Sequence, residues 1–250
     1  MSYTTLFKSL IQDRIVVITG AGSGIGRAVL AAFLDSGATV IAHLGRQDHG
    51  LTDNHQLKVT TGDFTKTEDQ LAFVRFVSSH TDRVDVLINN AGTMFGRFPA
   101  DTLSETDYAN IVSLNQDSVV RVTRAMIPLL KKSGDASIIN TVSISASTGG
   151  SPGSAIYSAS KAFVSTYTRG LARELAPDGI RANAVSPGVI DTEFHERYSS
   201  KEKLENTRKQ IPLQRLGTAE DCAASFLFFA APELSGYITG QVLEINGGQR

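Results

Sequence analysis

The chain has 250 residues, 41% of them hydrophobic and 20% charged, which is enough apolar mass for one large domain and too much for a disordered chain. A net charge of -1 gives no electrostatic case for nucleic acid or an anionic membrane, and no apolar run approaches the roughly 20 residues a membrane helix needs. The single cysteine, Cys222, excludes an internal disulfide; with no cleavable apolar leader after Met1, the expected setting is reduced and cytoplasmic.

In chain order, strands alternate with helices. Arg14–Thr19 is a short apolar strand, and Gly24–Ser36 is a helix with Ile25, Val29, Ala32 and Phe33 along one side. Thr39–His43 is the next strand and Leu57–Thr60 a weaker one, followed by a helix over Thr67–His80. Val84–Ile88, apolar but for Asp85, reads as a strand buried on both faces. Ser104–Leu130 reads as one long helix, Ser137–Thr141 as a strand and Ser154–Leu175 as another helix. Strands at Ile180–Val185 and Gln241–Ile245 flank a helix at Ala219–Ala230. This order predicts an α/β domain spanning 1–250, with a doubly wound parallel sheet covered by helices on both faces. The charged stretch Val189–Gly217 reads as irregular and, at that length, as a mobile substrate lid.

Two motifs carry chemistry. Thr19-Gly20-Ala21-Gly22-Ser23-Gly24-Ile25-Gly26 joins the first strand to the first helix, with the spacing TGxxxGxG. Glycines there let the backbone approach a pyrophosphate, and the helix N-terminus offers unpaired N–H groups to its oxygens. A flexible turn is the plain alternative, and the position between a strand and an amphipathic helix argues for a nucleotide. The second motif is Tyr157-Ser158-Ala159-Ser160-Lys161, which places a phenol and an ammonium four residues apart on one helix face. An ammonium close by lowers a phenol's pKa by roughly 1–3 units, so the pair reads as a proton donor and its electrostatic tuner. His43, His49 and His55 lie in a polar loop without other ligands at metal spacing, so no metal site is expected.

These motifs fall in a longer series: Asn89-Asn90-Ala91-Gly92, an isolated Asn115, serines at 143–147, and Ser186-Pro187-Gly188. In order and spacing the whole chain resembles the short-chain dehydrogenase/reductase family. The likeness is to its branch of about 250 residues that holds ketoacyl reductases and glucose, sugar and steroid dehydrogenases. The resemblance implies a Rossmann-type fold of about seven parallel strands. It also implies hydride transfer between nicotinamide C4 and a carbonyl or secondary alcohol.

By resemblance, Tyr157 is the general acid/base, Lys161 steadies the tyrosinate and holds the cofactor ribose, and Asn115 positions a water behind Lys161. An exposed polar position is the plain reading of Asn115. Gly20, Ser23, Gly24, Ile25 and Gly26 would cradle the pyrophosphate, and Asn90, Ala91 and Gly92 would line the adenosine side, where Asn90 also suits a turn. Asp63 would bond the adenine amine or cap the helix after it. Pro187, Gly188, Ile190 and Thr192 would clasp the nicotinamide amide. Where NAD users commonly place an aspartate, seven residues past the glycine matching Gly37, this chain has Leu44, then Gly45-Arg46. Arg46, able to pair with a 2′-phosphate, favours NADP, with NAD possible and a solvated loop charge the plain reading.

The catalytic serine departs from the family spacing: thirteen residues before Tyr157 stands Ile144, which cannot donate a hydrogen bond. Alignment from the strand end selects Ser143, with Ser145 as rival. A small-molecule carbonyl or alcohol is the expected partner, in a pocket walled by apolar Met94, Phe95 and Phe194 and polar His195, Glu196, Arg197 and Tyr198. Pro177-Asp178-Gly179 lacks the basic residue that reductases of carrier-protein thioesters tend to place after the tyrosine helix. The family pairs its two long helices between subunits, which implies a homotetramer. Two rivals on the same fold are a non-catalytic NAD(P)-binding regulator and a halohydrin-dehalogenase-like lyase. The intact Asn115, Tyr157 and Lys161 speak against the first, and Lys161 with the glycine loop against the second.

Overall fold

A computed structural model describes residues 3–249, with residues 3, 195 and 196 described in backbone only. Seven parallel strands form a single sheet in the order β3-β2-β1-β4-β5-β6-β7. They are β1 (Ile15–Thr19), β2 (Thr39–His43), β3 (Leu57–Thr60), β4 (Val86–Asn89), β5 (Ser137–Thr141), β6 (Arg181–Pro187) and β7 (Val242–Ile245). Helices cover both faces: α1 (Tyr3–Ile11), α2 (Gly24–Asp35), α3 (Thr67–His80), α4 (Glu105–Val112), α5 (Ser118–Leu130), α6 (Ser145–Thr148), α7 (Ala155–Leu175), α8 (Glu193–Tyr198), α9 (Lys201–Gln210), α10 (Ala219–Ala230) and α11 (Pro232–Ser235).

The strand sequences explain the two faces. Successive side chains point to opposite sides, so an apolar run such as Ile15-Val16-Val17-Ile18 feeds two cores at once. Val16 and Ile18 join Val29, Phe33, Phe226 and Phe229 on the side of α2 and α10. Val17 joins Phe73, Val77, Val122, Met126 and Leu171 on the side of α3, α5 and α7. Full burial of each such Leu, Phe or Val side chain is worth about 1.5–3 kcal/mol, so the two layers clamp the sheet between them. A buried polar chain adds register: Asn89 donates to Thr123 and Asn140, both at 2.9 Å, and Asn140 donates to Thr168 at 2.9 Å. With every member bonded, the chain ties β4, β5, α5 and α7 into one arrangement.

The chain leaves β1 toward β2 and β3, then returns to β4 on β1's other side. Strand order reverses there, which opens a crevice beyond the carboxyl ends of β1 and β4.

Three sequence expectations need correction. The long helix over 104–130 is interrupted: Ser113–Asp117 forms a π turn, in which the Ser118 N–H reaches the Ser113 carbonyl five residues back. Val189–Gly217 is not irregular but holds α8 and α9, closed at its base by a parallel bridge between Ile190 and Gly217. α9 was hidden because its only large apolar residue is Leu204, while its start is set by Ser200, whose side chain accepts from the Lys203 N–H. The helix α1 also went unpredicted, although Ile11 is fully buried in the α2–α10 core.

Candidate active site

A cavity of about 820 Å³ occupies the crevice, running from the end of β2 to α9. At its inner end the glycine loop is pressed against its neighbours. A methyl group on Gly26 would lie 2.0 Å from the Gly20 carbonyl oxygen, and one on Gly20 would lie 2.7 Å from the Ala91 Cα. The Thr19 hydroxyl accepts from the Asn90 and Ala91 N–H groups at 3.0 and 3.1 Å, and Asn90 donates to the Gly20 carbonyl at 2.9 Å. Asn90 therefore locks the loop to β4 while also lining the cavity. Ser23 precedes α2 with an extended backbone, and its hydroxyl makes no capping bond, so it and the first N–H groups of α2 face the crevice. This cradle fits a pyrophosphate bound by main-chain donors at a helix N-terminus.

His43 and Asp63 close the outer edge. His43 is buried, stacked on Phe64 at 3.8 Å; its Nδ1 accepts from the Gly20 N–H at 3.4 Å and its Nε2 lies 3.0 Å from the Gly62 carbonyl oxygen. That geometry suits the neutral ring, and burial pushes its pKa down to about 4. Asp63 accepts from the Thr65 N–H and hydroxyl at 3.0 and 2.7 Å and pairs with Arg46 at 3.2 Å. Burial works to raise its pKa, but the Thr65 hydrogen bonds and Arg46 outweigh it and hold the carboxyl below its usual range. Asp63 does not cap α3, whose N-cap is Lys66. Arg46, more than half exposed, also sits over the Phe95 ring at 5.7 Å. Gly24, Ile25, Gly92, Pro187, Gly188, Ile190 and Thr192 all line the same cavity.

The polar centre lies where β5 meets α7. Tyr157 and Ser143 line the cavity together, and Ser143 is close enough to draw the phenol pKa down against burial. Ser143 accepts from the Ser145 hydroxyl at 3.0 Å and from its N–H at 3.2 Å. Ser145 is the more buried of the two, and both line the cavity. The segment does not stay extended: it turns into α6 at Ser145, which takes Ser145 out of the line of Ser143. Lys161 is buried and donates to the Thr141 carbonyl at 2.9 Å.

The tuning expected of Lys161 is not present in this geometry. Its ammonium lies 5.8 Å from the Tyr157 ring centroid. Burial pushes the Tyr157 phenol up to about 12, against the effect of Ser143, and burial brings Lys161 down to about 8. Desolvation penalises both charged forms more than this separation repays.

Asn115 sits in the π turn and is fully buried, so the exposed-face reading fails. Its amide donates to the Ile111 and Thr93 carbonyls at 2.8 Å each, and its Oδ1 has no hydrogen-bond partner. A methyl group on Gly92 would lie 2.8 Å from that oxygen and 2.9 Å from Lys161 Nζ, so acceptor and ammonium converge on one small space. An orphaned acceptor facing a buried ammonium is what a bridging water requires.

The wall opposite Tyr157 comes from α8. Phe194 is 5.9 Å from the Tyr157 ring and 5.0 Å from Tyr198, whose hydroxyl bonds Thr93 at 3.0 Å. Met94, Phe95 and Arg197 also line the cavity, and the side chains of His195 and Glu196 lie outside the described part. The sequence reading missed Arg97 and Lys203, which line the outer end and belong to no motif. No group of three or more potential metal ligands occurs among the described residues, and none of their helices is long and apolar enough to cross a membrane.

Comparison with known proteins agrees with this geometry. Residues 20–250 match a family model described as enoyl-(acyl carrier protein) reductase. The chain is 37% identical over 250 residues to 3-oxoacyl-[acyl-carrier-protein] reductase FabG of Thermotoga maritima, covering 95% of this chain and 98% of that one. It is 33% identical to NADPH-dependent aldehyde reductase 1, chloroplastic, of Arabidopsis thaliana, covering 95% of this chain and 86% of that one. In structure it resembles the 3-ketoacyl-(acyl-carrier-protein) reductase of Brucella melitensis complexed with NADH. There the TM-score is 0.86 and the identity 31%, with 96% of this chain and 99% of that one covered. A seven-stranded parallel sheet, a glycine cradle at its switch point and end-to-end likeness to these reductases converge: the chain belongs to the short-chain dehydrogenase/reductase family of NAD(P)-dependent oxidoreductases acting on CH–OH and C=O groups.

Proposed function

We propose that this chain reduces a small-molecule carbonyl, or oxidises the matching secondary alcohol, with Tyr157 as the proton donor or acceptor at the reacting oxygen. The observation that carries the reading is the hydroxyl pair of Tyr157 and Ser143 in the cavity, backed by buried Lys161. Two hydroxyls lining one cavity suit an oxygen whose charge rises as the carbonyl accepts hydride. NAD(P)H would supply that hydride from nicotinamide C4. Ser143 donates to the oxygen and Tyr157 delivers the proton, while Lys161 and the water held by Asn115 Oδ1 restore it. A phenol at about 12 is protonated at neutral pH, the state from which a proton is delivered to the oxygen as its charge rises.

NADP is the preferred cofactor in this reading. Leu44 offers no carboxylate to repel a 2′-phosphate, and Arg46 at the cavity edge offers a cation, although Asp63 shares it. The relatives alone do not choose, since one is named for NADPH and another was solved with NADH. The protein would work in the cytoplasm as a homotetramer, a state supported by exposed Tyr108 on α4 and Phe163 on α7. Light scattering showing a stable monomer at micromolar concentration would remove the tetramer.

The test is fluorescence titration with NADPH and NADH, followed by turnover of a carbonyl panel by the native chain and by Tyr157→Phe. The native chain should bind NADPH more tightly and turn over at least one carbonyl. Tyr157→Phe should bind cofactor as well while losing about 10²–10⁴ in kcat. Cofactor binding without any turnover would favour the regulator on the same fold.

A further inference from the structure

The outer end of the cavity carries a charge pattern that carbonyl reduction alone does not need. Five cationic side chains line the cavity among the described residues: Arg46, Arg97, Lys161, Arg197 and Lys203. Its described carboxylates are two, and both are engaged: Asp63 with Arg46 at 3.2 Å, and Glu193 with Arg197 at 2.7 Å. Lys161 belongs to the Tyr157 centre. Arg97 and Lys203 remain, and neither has a carboxylate partner among the described residues. Glu202, next to Lys203 in the chain, does not pair with it.

The two come from distant segments and converge on one turn. Arg97 Nη1 donates to the Pro152 carbonyl at 3.2 Å, and Lys203 Nζ donates to the Ser151 hydroxyl at 3.1 Å. Arg97 Nε also donates to the Tyr198 carbonyl at 3.1 Å. Burial and the nearby Arg97 charge both draw Lys203 below its ordinary value. Two neighbouring cations from distant segments, held only by neutral oxygens, form a site completed by an anion. The site has a fixed relation to the chemistry, because Tyr198, which Arg97 holds, packs through Phe194 onto Tyr157.

We propose that the substrate is a carbonyl compound bearing an anionic oxygen group, a carboxylate or a phosphate ester, at the end remote from the reacting carbon, held between Arg97 and Lys203. This rests on the oxidoreductase reading above and names its substrate class. The planar guanidinium of Arg97 can take two oxygens of such a group while the Lys203 ammonium binds as a point charge. Arg97 stands on the body of the domain and Lys203 on α9, so the anion also draws α9 onto the substrate. The same pair selects against neutral carbonyls, which would leave both cations facing apolar or neutral groups.

The test uses matched probes: 4-oxopentanoate against its methyl ester, and dihydroxyacetone phosphate against dihydroxyacetone. Each is assayed with NADPH and NADH on the native chain and on Arg97→Gln and Lys203→Gln. The native chain should prefer a charged probe over its neutral partner by about 10- to 100-fold in kcat/KM, and each variant should erase most of that ratio. Preference within the first pair alone identifies a carboxylate, and within the second alone a phosphate. Equal turnover of charged and neutral probes, or a ratio unmoved in both variants, would overturn the anion site and leave the oxidoreductase reading intact. If no probe turns over, calorimetry with glutarate and with glycerol 3-phosphate on the cofactor complex decides. Saturable binding by the native chain that both variants lose supports the site, and its absence or its persistence in the variants overturns it.

Discussion

The two ends of the cavity are built differently. The inner end is made of backbone: the glycine loop, the ends of β1 and β4, and bonds from Thr19 and Asn90 that leave nothing to adjust. The outer end is made of side chains on α8, α9 and the turns at 93–98 and 150–154, joined by single hydrogen bonds such as Lys203 to Ser151. A backbone site can hold the part of a ligand that every family member shares. A side-chain site can change with the substrate without disturbing the sheet, which is why binding and catalytic residues concentrate on loops over a rigid scaffold.

The comparison is sharpest at the seam between the ends, where Ser143 closes β5. Ser143→Ala should lower kcat by about 10²–10³, the cost of one oxyanion donor, with cofactor affinity unchanged in a fluorescence titration. Ser145→Ala should cost less, since Ser145 donates to Ser143 and acts through it. The reverse order in steady-state kinetics would mean that Ser145 swings forward when substrate binds.

A smaller effect is expected at Arg46, the one side chain on which the inner end depends for choosing its cofactor. Arg46→Ala should raise the NADPH Michaelis constant about 10-fold or more, by losing a charge-assisted contact of about 1.5–3 kcal/mol, and should leave NADH nearly unaffected. Equal changes for both cofactors would show that Arg46 serves Asp63 and Phe95 alone.

A last effect concerns stability rather than catalysis. His43 has a folded pKa of about 4 against 6.5 when free, so between those values the unfolded chain holds a proton that the fold excludes. Its contribution is complete above pH 6.5 and is lost as pH falls toward 4, amounting to roughly 3 kcal/mol. Urea unfolding at pH 7 and pH 4.5 should show this loss, and His43→Phe should flatten it. If the slope persists in the variant, other groups cause it.

How legible each end was in the sequence follows from the same difference. Gly20 and Gly26 are forced by close approach of backbone to backbone and Gly24 by its positive φ, so their spacing is a direct record of geometry. Tyr157 and Lys161 are fixed by helical periodicity, and Ser143 by its place at a strand end. Arg97 and Lys203 left no such record, because nothing in the chain separates a cation aimed into a cavity from one in water. α9 escaped for a related reason: its exposed faces have no apolar period, and only the Ser200 cap marks its start. The charge relation of Lys161 to Tyr157 was misjudged because residue spacing gives proximity but not desolvation, which here outweighs it.

The π turn at Ser113–Asp117 has a consequence for which lengths of chain this fold tolerates. Each residue of a helix turns the face by about 100°, and a π turn accommodates one residue beyond the regular count. Deleting any single residue there would let α4 and α5 run on as an unbroken helix. α4 and α5 would keep their phases, because the wide turn takes up the extra residue locally. Val122, Met126 and Leu130 would stay in the core, while Asn115 would lose the turn that sets it in the space it shares with Lys161. The extra residue lets one helix satisfy two angular settings, one for packing and one for a water.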